Sequence, residues 1–138
     1  MKYLVLFGWC LFAFPALARY VETTVEGKVV VLDEATGLSW TSEYASEVTW
    51  QQALAHCEGL SYGGHTDWRL PNKNELASLI HYGKYDPASD FPNAGTGWFW
   101  SSSSLVGGTD DAWSVGFDYG YVSYGSKDSN VYARCVRP

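Results

Sequence analysis

"DWRLPNKNEL", Asp67 to Leu76, is the stretch on which the reading of this chain turns. Pro71 has no N–H to give a sheet, so a strand begun by Asp67–Leu70 stops there. Asn72 stands where a helix N-cap belongs, and Glu75, three residues on, completes a capping box. Leu76, Leu79 and Ile80 follow at helical spacing, and Gly83 marks the expected end of that helix. Trp68 and Leu70 alternate with Arg69, so the two apolar side chains face inward. The stretch therefore reads as a strand-to-helix junction. Trp68, Arg69, Leu70, Pro71 and Glu75 form its structural motif, with Arg69 expected to pair with a carboxylate rather than to catalyse.

Upstream, "TWQQALAHC" (Thr49–Cys57) repeats the same pattern. Thr49 caps, Gln52 reaches back, and Trp50, Ala53, Leu54 and Cys57 share one face. Cys57 thus points inward. Gly59 and "YGGHTD" end this helix and open a loop. Further upstream, "KVVVLD" (Lys28–Asp33), the turn "DEATG" and "LSW" (Leu38–Trp40) predict a hairpin.

Downstream, the loop "YDPASDFPNAGTG" leads into short β segments: "WFWSSSS", "AWSVGF", "YVSYGS" and "VYARCVR". "DYG" (Asp118–Gly120) and "SKDSN" (Ser126–Asn130) read as turns. Trp113, Val115 and Phe117 alternate as in a half-buried strand. Val131, Ala133 and Cys135 alternate too, so Cys135 faces inward, toward Cys57. Strands, two helices, then strands again make an α+β class, with the helices packed on short antiparallel strands.

The first residues read differently. Residues 1–18, "MKYLVLFGWCLFAFPALA", carry Lys2, an apolar run to Phe14, and Ala16 and Ala18 at the positions a signal peptidase reads. This predicts a secretory signal peptide cleaved before Arg19, a single domain over residues 19–138, and an exported protein of the periplasm or cell exterior. The apolar run is too short to span a bilayer, and no later segment is long enough.

About 120 residues suit one real core. The chain carries a net charge of −6, one unit more negative once Lys2 is discounted. That excludes a nucleic-acid partner, which needs a basic face, and argues against polyanionic sugars. Without Cys10, the remaining cysteines are Cys57 and Cys135, an even pair that predicts one disulfide.

In order, "DEATGLSW", "TWQQALAHCEGL", "GGHTDWRLPNKNEL", "WFWSSSS", "AWSVGFDYG" and "YARCVRP" resemble the Lcl C-terminal-domain family of bacterial proteins. The resemblance runs from about Val29 to Arg137. It implies a fold similar to C-type lectins and formylglycine-generating enzymes. Within that wider group, "RLP" before an acidic helix start recurs, as in Arg69-Leu70-Pro71 and Glu75.

Nothing in the residues points to catalysis. Once the signal peptide is gone, Cys57 and Cys135 are the only cysteines, and the disulfide claims both. His56, His65 and His81 lack zinc-ligand spacing, and His56 and His81 read as helical. Ser101–Ser104 lack a nucleophile elbow and read as strand hydroxyls. Asp110, Asp111 and Asp118 form no regular calcium loop. No metal or cofactor is expected.

The unusual feature is "YGYVSYGSKDSNVY" (Tyr119–Tyr132), tyrosines among Gly, Ser, Asp and Asn. Rigid rings beside small polar residues are the composition of binding surfaces. Tyr119, Tyr121 and Tyr124, with Lys127 and Asp128, are the expected ligand-binding residues, for a surface glycan or surface protein. Asp110 and Asp111 reach that surface only if their loop folds toward it. The rival readings are a cryptic periplasmic enzyme and a structural subunit of an envelope assembly.

Overall fold

The computed structural model describes residues 18–138. The signal-peptide expectation falls on residues 1–18 and so, Ala18 apart, lies outside the described residues. Strands β1 (Tyr20–Val25), β2 (Lys28–Asp33) and β3 (Leu38–Thr41) form an antiparallel meander. The expected hairpin is its second half, with Asp33 opposite Leu38. Asp33 folds the turn itself: its carboxylate accepts the Ala35 N–H at 3.0 Å and the Thr36 hydroxyl at 3.0 Å.

Strand β4 (Ala45–Val48) leads into α1 (Trp50–Glu58), followed by α2 (Lys73–Ala77). Then come β5 (Trp98–Leu105), β6 (Gly108–Gly116), β7 (Val122–Ser126), β8 (Val131–Ala133) and β9 (Val136–Arg137). One sheet has the order β1-β2-β3-β9 and the other β4-β8-β5-β6-β7. The β5–β8 pairing is parallel, a departure from the all-antiparallel expectation. The protein is mixed α+β, mostly strand, with two small helices and one disulfide.

Both capping boxes form. The Thr49 hydroxyl accepts the Gln52 N–H, and the Gln52 side chain accepts the Thr49 N–H at 3.0 Å. Asn72 Oδ1 accepts the Glu75 N–H at 2.8 Å, and Glu75 Oε1 accepts the Asn72 N–H at 2.9 Å. Helix α2 is shorter than expected: it ends at Ala77, capped by Ser78, well before Gly83. The Leu79 and Ile80 N–H groups bond back only three residues, to Leu76 and Ala77, and the His81 N–H leaves for the Ala88 carbonyl. Leu79 and Ile80 are buried as their spacing implied, but from a turn. His81 is therefore not helical; it pairs with Asp90 at 2.8 Å.

Two strand expectations also change. "DWRL" makes one bridge, Arg69 to Val136, with N–H···O distances of 2.9 and 2.8 Å. "VYARCVR" is two strands, because Arg134 and Cys135 carry the chain from one sheet to the other.

The five-stranded sheet divides the core. Phe99 packs with Val115 and Phe117, and with Val31, Trp40, Leu76 and Val136 beyond. The next residue along β5, Trp100, faces the opposite way, into Ala112, Ala133, Trp68 and the Trp50–Ala53–Cys57 face of α1. Strand alternation thus feeds two apolar layers from one sheet. The Cys57–Cys135 disulfide, with a Cα–Cα distance of 5.5 Å, ties α1 to the crossing between β8 and β9.

Candidate functional site

Trp68 is buried, and its indole N–H donates to the carbonyls of Tyr62 and His65 at 3.0 and 3.2 Å. Arg69 meets Glu75 in a bidentate pair, both N···O distances 2.7 Å. Glu75 Oε1 thus takes the Arg69 guanidinium and the Asn72 N–H together. The Arg69 hydrogen bonds hold the Glu75 carboxyl below the usual carboxylate range, against the opposing effect of its burial. Pro71 is buried, and its carbonyl accepts the Ser102 N–H at 2.8 Å. The Trp68 indole, the Arg69–Glu75 pair and the Asn72 cap all serve to hold the junction.

The tyrosines lie elsewhere. Gly120, at φ +83°, sits in the β6–β7 turn, and a Cβ there would stand 2.9 Å from Ile80 Cγ2. Only glycine lets this turn press onto the core, which throws Tyr119 and Tyr121 outward on either side. The Asp86 N–H donates to Asp118 O and the Ala88 N–H to Phe117 O, both at 2.8 Å. These bonds dock the preceding loop beside the turn. Tyr85 from that loop stacks on Tyr119, with ring centroids 6.5 Å apart and planes 15° apart, and Tyr119 lies 6.5 Å from Tyr121. Tyr85, Tyr119 and Tyr121 are 73%, 60% and 66% exposed.

The five residues expected to bind ligand occupy three places. Tyr119 and Tyr121 stand together. Tyr124 pairs across the strands with Trp113, ring centroids 5.4 Å apart, and Lys73 Nζ lies 4.3 Å from that Trp113 ring. Lys127 and Asp128 sit by the N-terminus of α1, where Lys127 Nζ lies 4.1 Å over the Trp50 ring. Asp110 and Asp111 lie in strand β6 rather than in a loop, and the Lys127 N–H donates to Asp110 O at 2.8 Å, so Asp110 stands beside Lys127 and Asp128, not beside the tyrosines. Together they line a polar hollow with Thr49, Thr109 and Ser126.

Tyr85 was not among the expected residues. Its signal lay in "HYGKYDP" (His81–Pro87), two tyrosines in a polar stretch with no apolar period to bury them. The serines behave as strand hydroxyls: Ser101 is buried and donates to Trp113 O at 2.7 Å, and Ser103 Oγ accepts the Lys73 N–H at 3.0 Å. Among the described residues, no three His, Cys, Asp or Glu side chains gather as a metal site. No described helix is long and apolar enough to cross a membrane.

The fold and its fixed points define a disulfide-bonded α+β domain built round an Arg-Leu-Pro junction. A family model for the Lcl C-terminal domain matches residues 29–137, and the chain belongs to that family. No curated protein matches it.

Proposed function

We propose that this protein is an exported, non-catalytic, adhesin-like binding module, with a C-type-lectin-like fold, that holds a surface glycan or surface protein on its exposed tyrosines. The row Tyr85–Tyr119–Tyr121 carries the reading. Three large rings left in water, side by side and fixed by backbone hydrogen bonds, offer rigid contact area at little entropic cost. Phenol hydroxyls at the rim add polar contacts. The apolar stretch before Arg19 and a disulfide buried between α1 and the sheet crossing both suit an oxidising compartment outside the cytosol.

The test is an array of glycans and surface proteins, probed with and without calcium. The expected hit survives chelation and high salt, because stacking needs neither a cation nor charge pairing. An array without any hit, or one in which not a single hit is lost on substitution of the three tyrosines, removes the proposal, whatever hits of other origin it holds.

A further inference from the structure

A second feature lies on the sheet, away from the tyrosine row. Trp98 pairs across β5–β6 with Gly116, and Trp100 with Ser114. Ser114 in turn faces Ser123 on β7, and Ala112 faces Gly125. Alternation places Trp98, Trp100, Ser114, Ser123 and Gly125 on one face of three strands. Helix α1 covers that face at Trp100 and Ala112. Beyond the helix the face stays open, as a groove of about 260 Å³ edged by Ser129. An adjoining lobe of about 210 Å³ shares Trp98 and Val131 and adds Glu47 and Asn130. Each is smaller than the roughly 300 Å³ of the smallest small-molecule sites, but both open on Trp98.

Trp98 is set apart from Trp40, Trp50, Trp68 and Trp100, which are buried. It is half-buried, and its ring lies against Gly116, where a Cβ would stand 2.9 Å from Cε2 and Cζ2. The indole is thereby fixed in place while part of it remains open to both lobes.

We propose that this groove binds a neutral saccharide, two pyranose units lying across Trp98. The lining of the groove matches the chemistry of a sugar. One face of a pyranose is apolar C–H and packs on an indole; its edge is hydroxyl. Serine hydroxyls both donate and accept, so Ser114, Ser123 and Ser129 answer a hydroxyl in either orientation. Asn130 offers a donor and an acceptor, and the Glu47 carboxylate accepts from two adjacent hydroxyls. A purely apolar ligand would strand the serine hydroxyls. Neither lobe is lined by Lys or Arg, and one holds Glu47, so a sulfated or uronic sugar is repelled. Tyr119 and Tyr121 line neither lobe, so this site stands apart from the tyrosine reading; Tyr124 flanks the groove, with its ring turned to Trp113.

Titration of the protein with cellobiose, maltose, lactose and chitobiose tests it, followed by tryptophan fluorescence and backbone amide shifts. At least one disaccharide should give saturable shifts at Ser123, Gly125, Ser129 and Asn130. Gly125→Leu is the blocking variant: a Cβ there meets nothing within 4 Å, so the side chain fills the groove without touching the core. Ser129→Trp, on the exposed rim, blocks from the other side should Gly125→Leu fail to fold. Either should weaken binding at least tenfold with the amide spectrum otherwise unchanged. The site is rejected if no disaccharide moves the groove amides at millimolar concentration, or if a folded blocked variant binds like the parent. Neither result bears on the tyrosine row, whose own test reads Tyr85, Tyr119 and Tyr121.

Discussion

Arg69 and Glu75 join across Pro71 through two hydrogen bonds of 2.7 Å, and the same glutamate closes the capping box of α2. One carboxylate therefore fixes the end of a bridge and the start of a helix. The Arg69 side chain is 43% exposed and Glu75 17%, so the pair lies between a surface and a buried one. Arg69→Ala should cost about 1–2 kcal/mol, between the ranges for those two cases. Glu75→Ala should cost more, since the cap goes with it, and Trp68→Ala about 3–5 kcal/mol as a buried aromatic. Urea unfolding of the three variants checks the order. An Arg69→Ala protein of parental stability would refute the structural role.

Arg134 is a buried cation with no carboxylate beside it among the described residues. Its guanidinium donates to four carbonyls, those of Thr41, Ser42, Asn93 and Ala94. It also lies 4.6 Å over the Phe91 ring and 4.9 Å over Tyr44. Burial lowers its pKa to about 10, so it stays charged at neutral pH. Arg134→Lys should destabilise despite keeping the charge, because one ammonium cannot span carbonyls on both sides of the planar fork. Arg134→Ala should cost on the order of 3 kcal/mol or more, by leaving those carbonyls unpaired. Melting temperatures of the two variants decide; a Lys variant as stable as the parent would show that charge alone suffices.

The Cys57–Cys135 bond spans 78 residues of sequence. In the chain-entropy model a loop of that size contributes about 4–5 kcal/mol, as an upper guide. Non-reducing peptide mapping should find the crosslinked pair, and the double Cys→Ser variant should unfold at distinctly lower urea. Two thiols open to alkylation in the native protein would contradict it.

Acid should unfold the protein chiefly through two part-buried carboxylates, since Asp67 and Asp90, also lowered, are exposed and screened. Burial of Asp33 raises its pKa, but hydrogen bonds from Arg19, Ala35 and Thr36 outweigh that and leave it lowered. Glu75 is lowered chiefly by Arg69. A carboxylate with a lowered folded-state pKa adds stability that is complete above its unfolded value, near 4, and is lost as pH falls through the folded one. Stability should thus be level from neutral pH to about 5 and decline below about 4. Asp33→Asn and Glu75→Gln should each be less stable at neutral pH and show a shallower acid decline. Equal acid slopes in parent and variants would assign the effect to other groups.

The helix starts, the hairpin and the disulfide were legible because each rests on local chemistry: a cap with its partner three residues on, a turn Asp, an inward cysteine. What was not legible depended on distant contacts. Gly83 does not end α2, because the chain has already tightened to three-residue bonds at Leu79 and Ile80, and Ala88 then takes the His81 N–H. "VYARCVR" is broken because Arg134 needs carbonyls from near Ser42 and Asn93, far off in sequence. The partner of Arg69 was implied in kind but not named. Among the tyrosines, the three-residue spacing of Tyr121 and Tyr124 meant only that they need not share a strand face. The alliance of Tyr119 with Tyr85 rests on two loops docking, which no spacing encodes.

If Tyr85, Tyr119 and Tyr121 hold the ligand, truncating them should separate binding from stability. All three rings are mostly exposed, so Tyr→Ala removes little buried area and should move the melting temperature only slightly. Tyr119 is central, touching both neighbours, so Tyr119→Ala should lose the most affinity, on the order of 2 kcal/mol or about 30-fold if it acts as a hot spot. Tyr85→Ala and Tyr121→Ala should lose less. Tyr124→Ala, whose ring rests on Trp113, serves as the comparison and should leave binding on the row intact. Calorimetric titration with an array-identified ligand, beside thermal melts of the same variants, measures both quantities. Full affinity in the Tyr119→Ala variant, or binding lost only in step with the melting temperature, would remove the tyrosine row from the binding face.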